Sequence, residues 1–156
     1  MILVTVGMQL GFNRLIKAMD LLAPDLDAPV IAQIGNSSYI SQNIETHEKI
    51  APLEFEKLVS TADLIVSHAG IGSVLTAARF DKPIVLVPRR ADLKEHRNDH
   101  QMATARKLEG RQGILIAYDE SELAVRIAEA RELGCGPSQQ APAAQQLHEA
   151  LARFIE

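Results

Sequence analysis

The chain has 156 residues, 47% of them hydrophobic and 23% charged, with a formal net charge of −4. That length suits one domain with a sizeable core, and the composition excludes disordered, collagen-like and coiled-coil classes. The acidic balance argues against wholesale nucleic-acid binding, although residues 89–111 carry a local +3 against −7 for the rest. A basic stretch of this kind suits an anionic ligand or acidic surface as well as a solvated helix face. No apolar run approaches the ~20 residues needed to span a bilayer. The N-terminus lacks the basic region and cleavage site of a signal peptide. The single cysteine, Cys135, builds no internal disulfide framework, and together these features predict a cytoplasmic chain.

Strands and helices alternate along the sequence. The β-branched run 2–6 predicts a buried strand, and Phe12, Leu15, Ile16, Met19 and Leu22 repeat at helical spacing over 12–22. A second strand is expected over 29–34, ended by Gly35-Asn36-Ser37-Ser38, and a short one over 46–50. A helix over 53–61 precedes a strand over 63–67 and a helix over 71–80 that opens at a glycine-rich turn. Then follow a strand over 84–87, a helix over 97–108, a strand over 113–117 and a helix over 120–132. Gly134-Cys135-Gly136-Pro137 begins a break expected to run as a linker over 134–143, ahead of a last amphipathic helix over 144–155. The alternation predicts one α/β domain over residues 1–156, a Rossmann-like, doubly wound parallel sheet. Ligands of such sheets bind beyond the carboxyl ends of the strands, here the loops 7–11, 35–38, 51–53, 67–73 and 88–101.

The strongest local signal is Ser67-His68-Ala69-Gly70-Ile71-Gly72-Ser73. It links a strand to a helix, and its glycines let a ligand approach the first-turn N–H groups. Such a helix N-terminus suits a diphosphate, with His68 and Ser73 adding side-chain donors. A tight turn packed for its own sake is the competing reading. Gly7-Met8-Gln9-Leu10-Gly11 follows the first strand and offers a second edge to the same pocket. Arg89 and Arg90 follow a strand end, where a cation meets an anion or lies in a surface pair. His96 and His100 stand four residues apart, a spacing that suits zinc with Asp99 or Asp92 if one helix carries both. His100 and Gln101 equally suit recognition of a hydroxyl-rich ligand. A Ser67–His68–Asp63 triad is disfavoured, because adjacent strand residues point to opposite faces.

The stretches Val4-Thr5-Val6-Gly7, Gln33-Ile34-Gly35, Ala62–Ser73, Lys82–Pro88 and His100-Gln101-Met102-Ala103 resemble, in order and spacing, the C-terminal half of the family 28 GT-B glycosyltransferases. The run from Pro88 to Gln101 is most similar to the small soluble subunits of two-part bacterial exopolysaccharide enzymes. The resemblance implies a UDP-sugar site. His68, Ala69, Gly70, Gly72 and Ser73 would hold the diphosphate, with Gly7, Met8 and Gln9 on its other side and Arg89 nearby. His100 and Gln101 would face the sugar, the loop around Ala51-Pro52-Leu53 would lie near uracil, and Gly35 would be a further substrate-binding residue. Many relatives carry a ribose-binding Glu where this chain has Thr76.

The resemblance also implies metal-independent, inverting transfer without a cofactor. The general base would come from a separate, membrane-anchored subunit that binds a lipid-linked sugar acceptor. The chain would then be peripheral at the inner membrane face through that partner, with a homodimer when isolated. The apolar side of the last helix, Leu147, Leu151, Phe154 and Ile155, either packs on the chain's own sheet or is a candidate docking surface. A non-catalytic nucleotide-sugar module and a zinc hydrolase using His96 and His100 are the alternatives.

Overall fold

Runs such as Ile2-Leu3-Val4 and Ile84-Val85-Leu86-Val87 are apolar at every position, so they need cover on both faces. The computed structural model, described for residues 1–7 and 10–137, gives them that cover in one parallel sheet. Its strands are β1 (Ile2–Thr5), β2 (Val30–Gln33), β3 (Glu45–His47), β4 (Leu64–His68), β5 (Ile84–Val87) and β6 (Ile114–Ile116). The helices are α1 (Asn13–Leu22), α2 (Pro52–Thr61), α3 (Ile71–Arg79), α4 (His100–Leu108) and α5 (Leu123–Leu133).

The strand order is β3-β2-β1-β4-β5-β6. Winding runs outward from β1 in one direction and from β4 in the other, so the sheet is doubly wound with its switch point between them. In register, Thr5 lies opposite both Gln33 and Ser67, and His68 opposite Val87. Alternation along each strand feeds two cores. Val4 and Val66 pack with Phe12, Leu15, Ile16, Met19 and Ile127 on one face. Leu3 and Ile65 pack with Val59, Val74, Ala77, Ala105 and Leu108 on the other.

Three elements differ from the sequence expectation by more than one residue at a boundary. The third strand covers 45–47 instead of 46–50, because Gly35 N takes the Glu48 carbonyl and Ile50 N is bound at 3.0 Å by the Gln33 side-chain oxygen. The helix expected from 97 begins at His100. Asn98 and Asp99 instead spend their side-chain oxygens on the backbone N–H groups of His100 and Ala91, each at 3.0 Å. A 3-10 turn over Glu120–Glu122 precedes α5, with Asp119 accepting from Ser121 N at 2.9 Å.

Asp20 sits among apolar neighbours on α1 and is 2% exposed. It accepts hydrogen bonds from Tyr39 Oη at 2.8 Å, Asn43 N at 2.7 Å and Gln42 N at 3.0 Å, which ties down the connection after β2. Burial pushes its pKa up. The bonds from Asn43, Tyr39 and Gln42 outweigh that and hold the carboxyl below its ordinary value.

The start of the expected 134–143 linker is packed against the sheet. Gly134 closes α5 in the left-handed conformation, Gly136 N donates to Asp81 Oδ1 at 3.0 Å, and Gly136 and Pro137 are buried. The remainder of that linker, the helix expected over 144–155, and Met8 and Gln9 lie outside the described residues. No helix among the described residues is long and apolar enough to cross a membrane.

Candidate functional site

At the switch point the C-terminal ends of β1 and β4 lie side by side. Their next residues are Gly7 and the turn from His68 to Gly70. The His68 ring is enclosed by these two glycine backbones. A Cβ on Gly7 would stand 3.5 Å from His68 Cε1, and one on Gly70 only 2.8 Å from Cδ2. Gly7 has φ +84°, so its missing side chain serves both the turn and the ring.

Burial pushes the His68 pKa down to about 4, helped by the positive charge of Arg89, against a hydrogen bond with the Thr5 backbone. His68 is therefore neutral at pH 7 and acts through one N–H and one lone pair. Ser67 Oγ is 3.3 Å from Nδ1, a contact between neighbouring side chains that the strand-alternation rule did not anticipate. Asp63 lies at the other end of β4, bound at 2.7 Å to the N-terminal ammonium, so no Ser–His–Asp array assembles.

α3 starts at Gly70, which is extended and supplies no capping side chain. The first amide to find a helical acceptor is Val74 N, at 3.4 Å from Gly70 O. The N–H groups of Ile71, Gly72 and Ser73 have no acceptor among the described residues. They coincide with the positive end of the α3 dipole, a ready place for an anion. A Cβ on Gly72 would meet nothing within 4 Å, so the backbone there faces open space. Thr76 Oγ1 donates to Gly72 O at 2.9 Å, which commits its proton to the helix and leaves its lone pairs as acceptors.

The other expected residues are less close together. Gly35, with φ +56°, is buried after β2, and Pro52 is exposed at the first position of α2, beyond the edge strand β3. A groove lined by Ile50, Ala51, Glu54 and Leu58 opens beside it. Gln101 Oε1 accepts from Arg89 N at 3.0 Å, which leaves the Gln101 amide N–H groups as donors near the end of β5. His100 is exposed on the first turn of α4.

Arg89 departs most from expectation. Instead of facing an anion, it is 3% exposed and its Nη2 donates to Val6 O at 2.8 Å and Leu10 O at 2.9 Å. Burial lowers its pKa to about 10. Arg90 pairs with its neighbour Asp92 at 2.7 Å. His96 stands ahead of α4, so it shares no helix face with His100. No group of three or more His, Cys, Asp or Glu among the described residues is placed to hold a metal.

Spacing arguments missed three residues around this site. Gln33 spans β1, β2 and the start of α2, with Nε2 at 3.4 Å from Thr5 Oγ1 and Oε1 on Ile50 N. Arg14 grips Glu95 through two bonds of 2.9 and 3.0 Å and reaches Glu120 at 3.0 Å and Pro88 O at 3.1 Å. Only the charge of Glu95 within a basic stretch hinted at such a partner.

Comparisons with known proteins show the family and the fold. A family model described as the glycosyltransferase family 28 C-terminal domain matches residues 1–154. The "UDP-N-acetylglucosamine transferase subunit ALG13" of Eremothecium gossypii is 31% identical over 124 residues, which is 78% of this chain and 59% of that protein. The chain thus spans about three fifths of the length of that relative. Among solved structures, the NMR structure of an ALG13 superposes with a TM-score of 0.62 at 17% identity, covering 94% of this chain and 93% of that one. A kitacinnamycin glycosyltransferase gives 0.62 at 19% identity, covering 99% of this chain and 38% of that one. At these identities the two structures speak for the fold alone, and the larger one places that fold within part of a longer enzyme.

Proposed function

Because the chain belongs to the glycosyltransferase family 28 C-terminal domains, we propose that it is the donor-binding subunit of a two-component glycosyltransferase. The donor is a UDP-sugar, N-acetylglucosamine or another hexose, and the similarity to a UDP-N-acetylglucosamine transferase subunit supports that class. The observation that carries the reading is the uncapped N-terminus of α3, with Gly72 in open space and the neutral His68 ring beside it.

In this reading the donor diphosphate lies against the N–H groups of Ile71, Gly72 and Ser73, between them and Gly7. As the glycosidic bond breaks, negative charge builds on the diphosphate. Preorganised amides and the helix dipole stabilise it more than they stabilise the ground state. The Ser73 hydroxyl and the His68 ring N–H add donors of fixed position. His68 contributes no charge at pH 7, since its pKa is about 4. Ala69 holds the turn, and Gln101 with His100 donates to sugar hydroxyls from the end of β5. Pro52 and the adjacent groove take the uracil, with Gly35 shaping the same side. Thr76 accepts from a ribose hydroxyl as a neutral group, a weaker bond than a carboxylate would make.

Transfer in this scheme is inverting and needs no divalent metal. The general base and the lipid-linked acceptor come from a membrane-anchored partner lobe, as in polysaccharide or glycolipid synthesis. The chain is then cytoplasmic and reaches the inner membrane face through that partner, forming a homodimer when isolated. A second reading, a nucleotide-sugar module without catalysis, draws on the Thr76 position alone.

Titration calorimetry with UDP and UDP-N-acetylglucosamine, with and without EDTA, tests the proposal. Saturable binding unaffected by EDTA is expected. No binding by folded protein, alone or with its partner, would overturn the donor reading. Sugar transfer on adding the partner would remove the non-catalytic one.

A further inference from the structure

A buried arginine that makes no ion pair is costly unless its donors are used, because desolvation disfavours the charged form. Arg89 spends its Nη2 on Val6 O and Leu10 O, which lie within the connection from β1 to α1 on either side of Gly7. Its guanidinium lies 5.1 Å from the centre of the Phe12 ring, whose other neighbour is the Arg14 guanidinium at 5.3 Å. Its Nε is buried with no partner among the described residues, and the side chain is held by the loop bonds and the ring. Its backbone N–H is held by Gln101 Oε1. The segment that follows is fixed in turn. Glu95 accepts from Arg90 N and from Arg14, and Arg14 also holds Pro88 O.

Arg89 therefore lies where two independent parts of the site meet: the glycine edge after β1, and Gln101 at the start of α4. We propose that Arg89 is a positioning residue. It sets the place of Gly7 opposite the α3 N-terminus by gripping the β1–α1 connection at Val6 and Leu10, on either side of Gly7, and never touches the ligand. This rests on the donor reading for the identity of that ligand as a nucleoside diphosphate. Gly7 stands at the diphosphate end, against His68, so loss of the grip should be felt by phosphates and not by the nucleoside.

The test compares wild type with Arg89→Met, which fills the space without donors. Arg89→Lys, which keeps one donor group, serves if the methionine variant does not fold. Amide hydrogen exchange by NMR on the free protein is the first readout. About tenfold faster exchange at Gly7 and Gly11 is expected, with rates in β4 and β5 unchanged. Ligand-detected NMR is the second. A loss of about tenfold in UDP affinity is expected, with uridine affinity within about twofold of wild type, since one lost hydrogen-bonded contact is worth that much.

Unchanged exchange at Gly7 and Gly11 would overturn the proposal. So would acceleration spread evenly over the sheet, or equal losses for UDP and uridine, since both mark Arg89 as core filling. If wild type itself binds no UDP, the donor reading falls, and the exchange data still decide whether Arg89 fixes the loop.

Discussion

Two glycine clusters at opposite ends of the sheet serve different purposes. At the carboxyl ends of β1 and β4, Gly72 faces open space and Gly7 and Gly70 make room for a side-chain ring. At the amino ends, Gly136 packs backbone to backbone on Lys82, where an added Cβ would lie 2.5 Å from Lys82 N and 2.6 Å from its carbonyl oxygen. Gly113, at φ +78°, meets Gly136 and Pro137 just as closely. Gly113 and Gly136 serve packing, as Gly11 does at the other end, where an added Cβ would lie 2.7 Å from Ser37 N. Gly72 instead leaves open space, as a ligand site would need. The contrast separates a stability role from a binding role before any ligand is in view.

Substitution at each end should therefore fail differently. Gly136→Ala must push apart two backbone segments that have no slack, and overpacking of this sort costs about 1–3 kcal/mol. Urea denaturation should show that loss, while UDP affinity per folded molecule stays at the wild-type value. An equal loss of affinity would mean that the two ends are not independent.

Gly72→Ala should invert the pattern. Alanine at an exposed helical position raises helix stability by about 0.5–1 kcal/mol. The new methyl group enters the space assigned to the diphosphate, so UDP affinity should fall about tenfold or more, a loss of about 1.4 kcal/mol. A variant that is both more stable and a normal binder would place the ligand elsewhere.

The smallest effect concerns pH. The folded His68 pKa of about 4 lies below its ordinary 6.5, so as pH falls the unfolded chain takes up the proton first. His68 then favours folding fully above pH 6.5, and that contribution is lost progressively down to about pH 4. Between pH 7 and 6 the loss is about 0.7 kcal/mol by linkage, and His68→Gln should remove it from the stability profile measured by thermal or urea melts. An unchanged slope in the variant would assign the proton uptake to another group.

Much of this organisation was legible in the chain itself. Branched apolar runs marked the strands, and their alternation with helical periodicity implied the doubly wound sheet. The turn from Ser67 to Ser73 marked a candidate anion site through its glycines and its place between strand and helix. The inward turn of Arg89 was not legible, because its acceptors lie 79 and 83 residues away on another element. From the local sequence, an arginine after a strand looks the same whether it meets a ligand or a carbonyl. Asp20 was hidden for the same reason: its partners are backbone N–H groups after β2, and helix periodicity has no way to name them.

The spacing of His96 and His100 carried a false hint. A four-residue interval places two side chains together only where a helix exists, and Asn98 and Asp99 delay that helix to His100. Sequence alone determined the elements, their order, and the glycine turn opening α3, since these follow from local sterics and from the 2.0 and 3.6 periods of apolar residues. Tertiary structure alone decided which polar groups look inward at the protein and which are left for a ligand. Nearly all buried donors find acceptors, and for Arg89 Nη2 and the partners of Asp20 these come from distant parts of the chain.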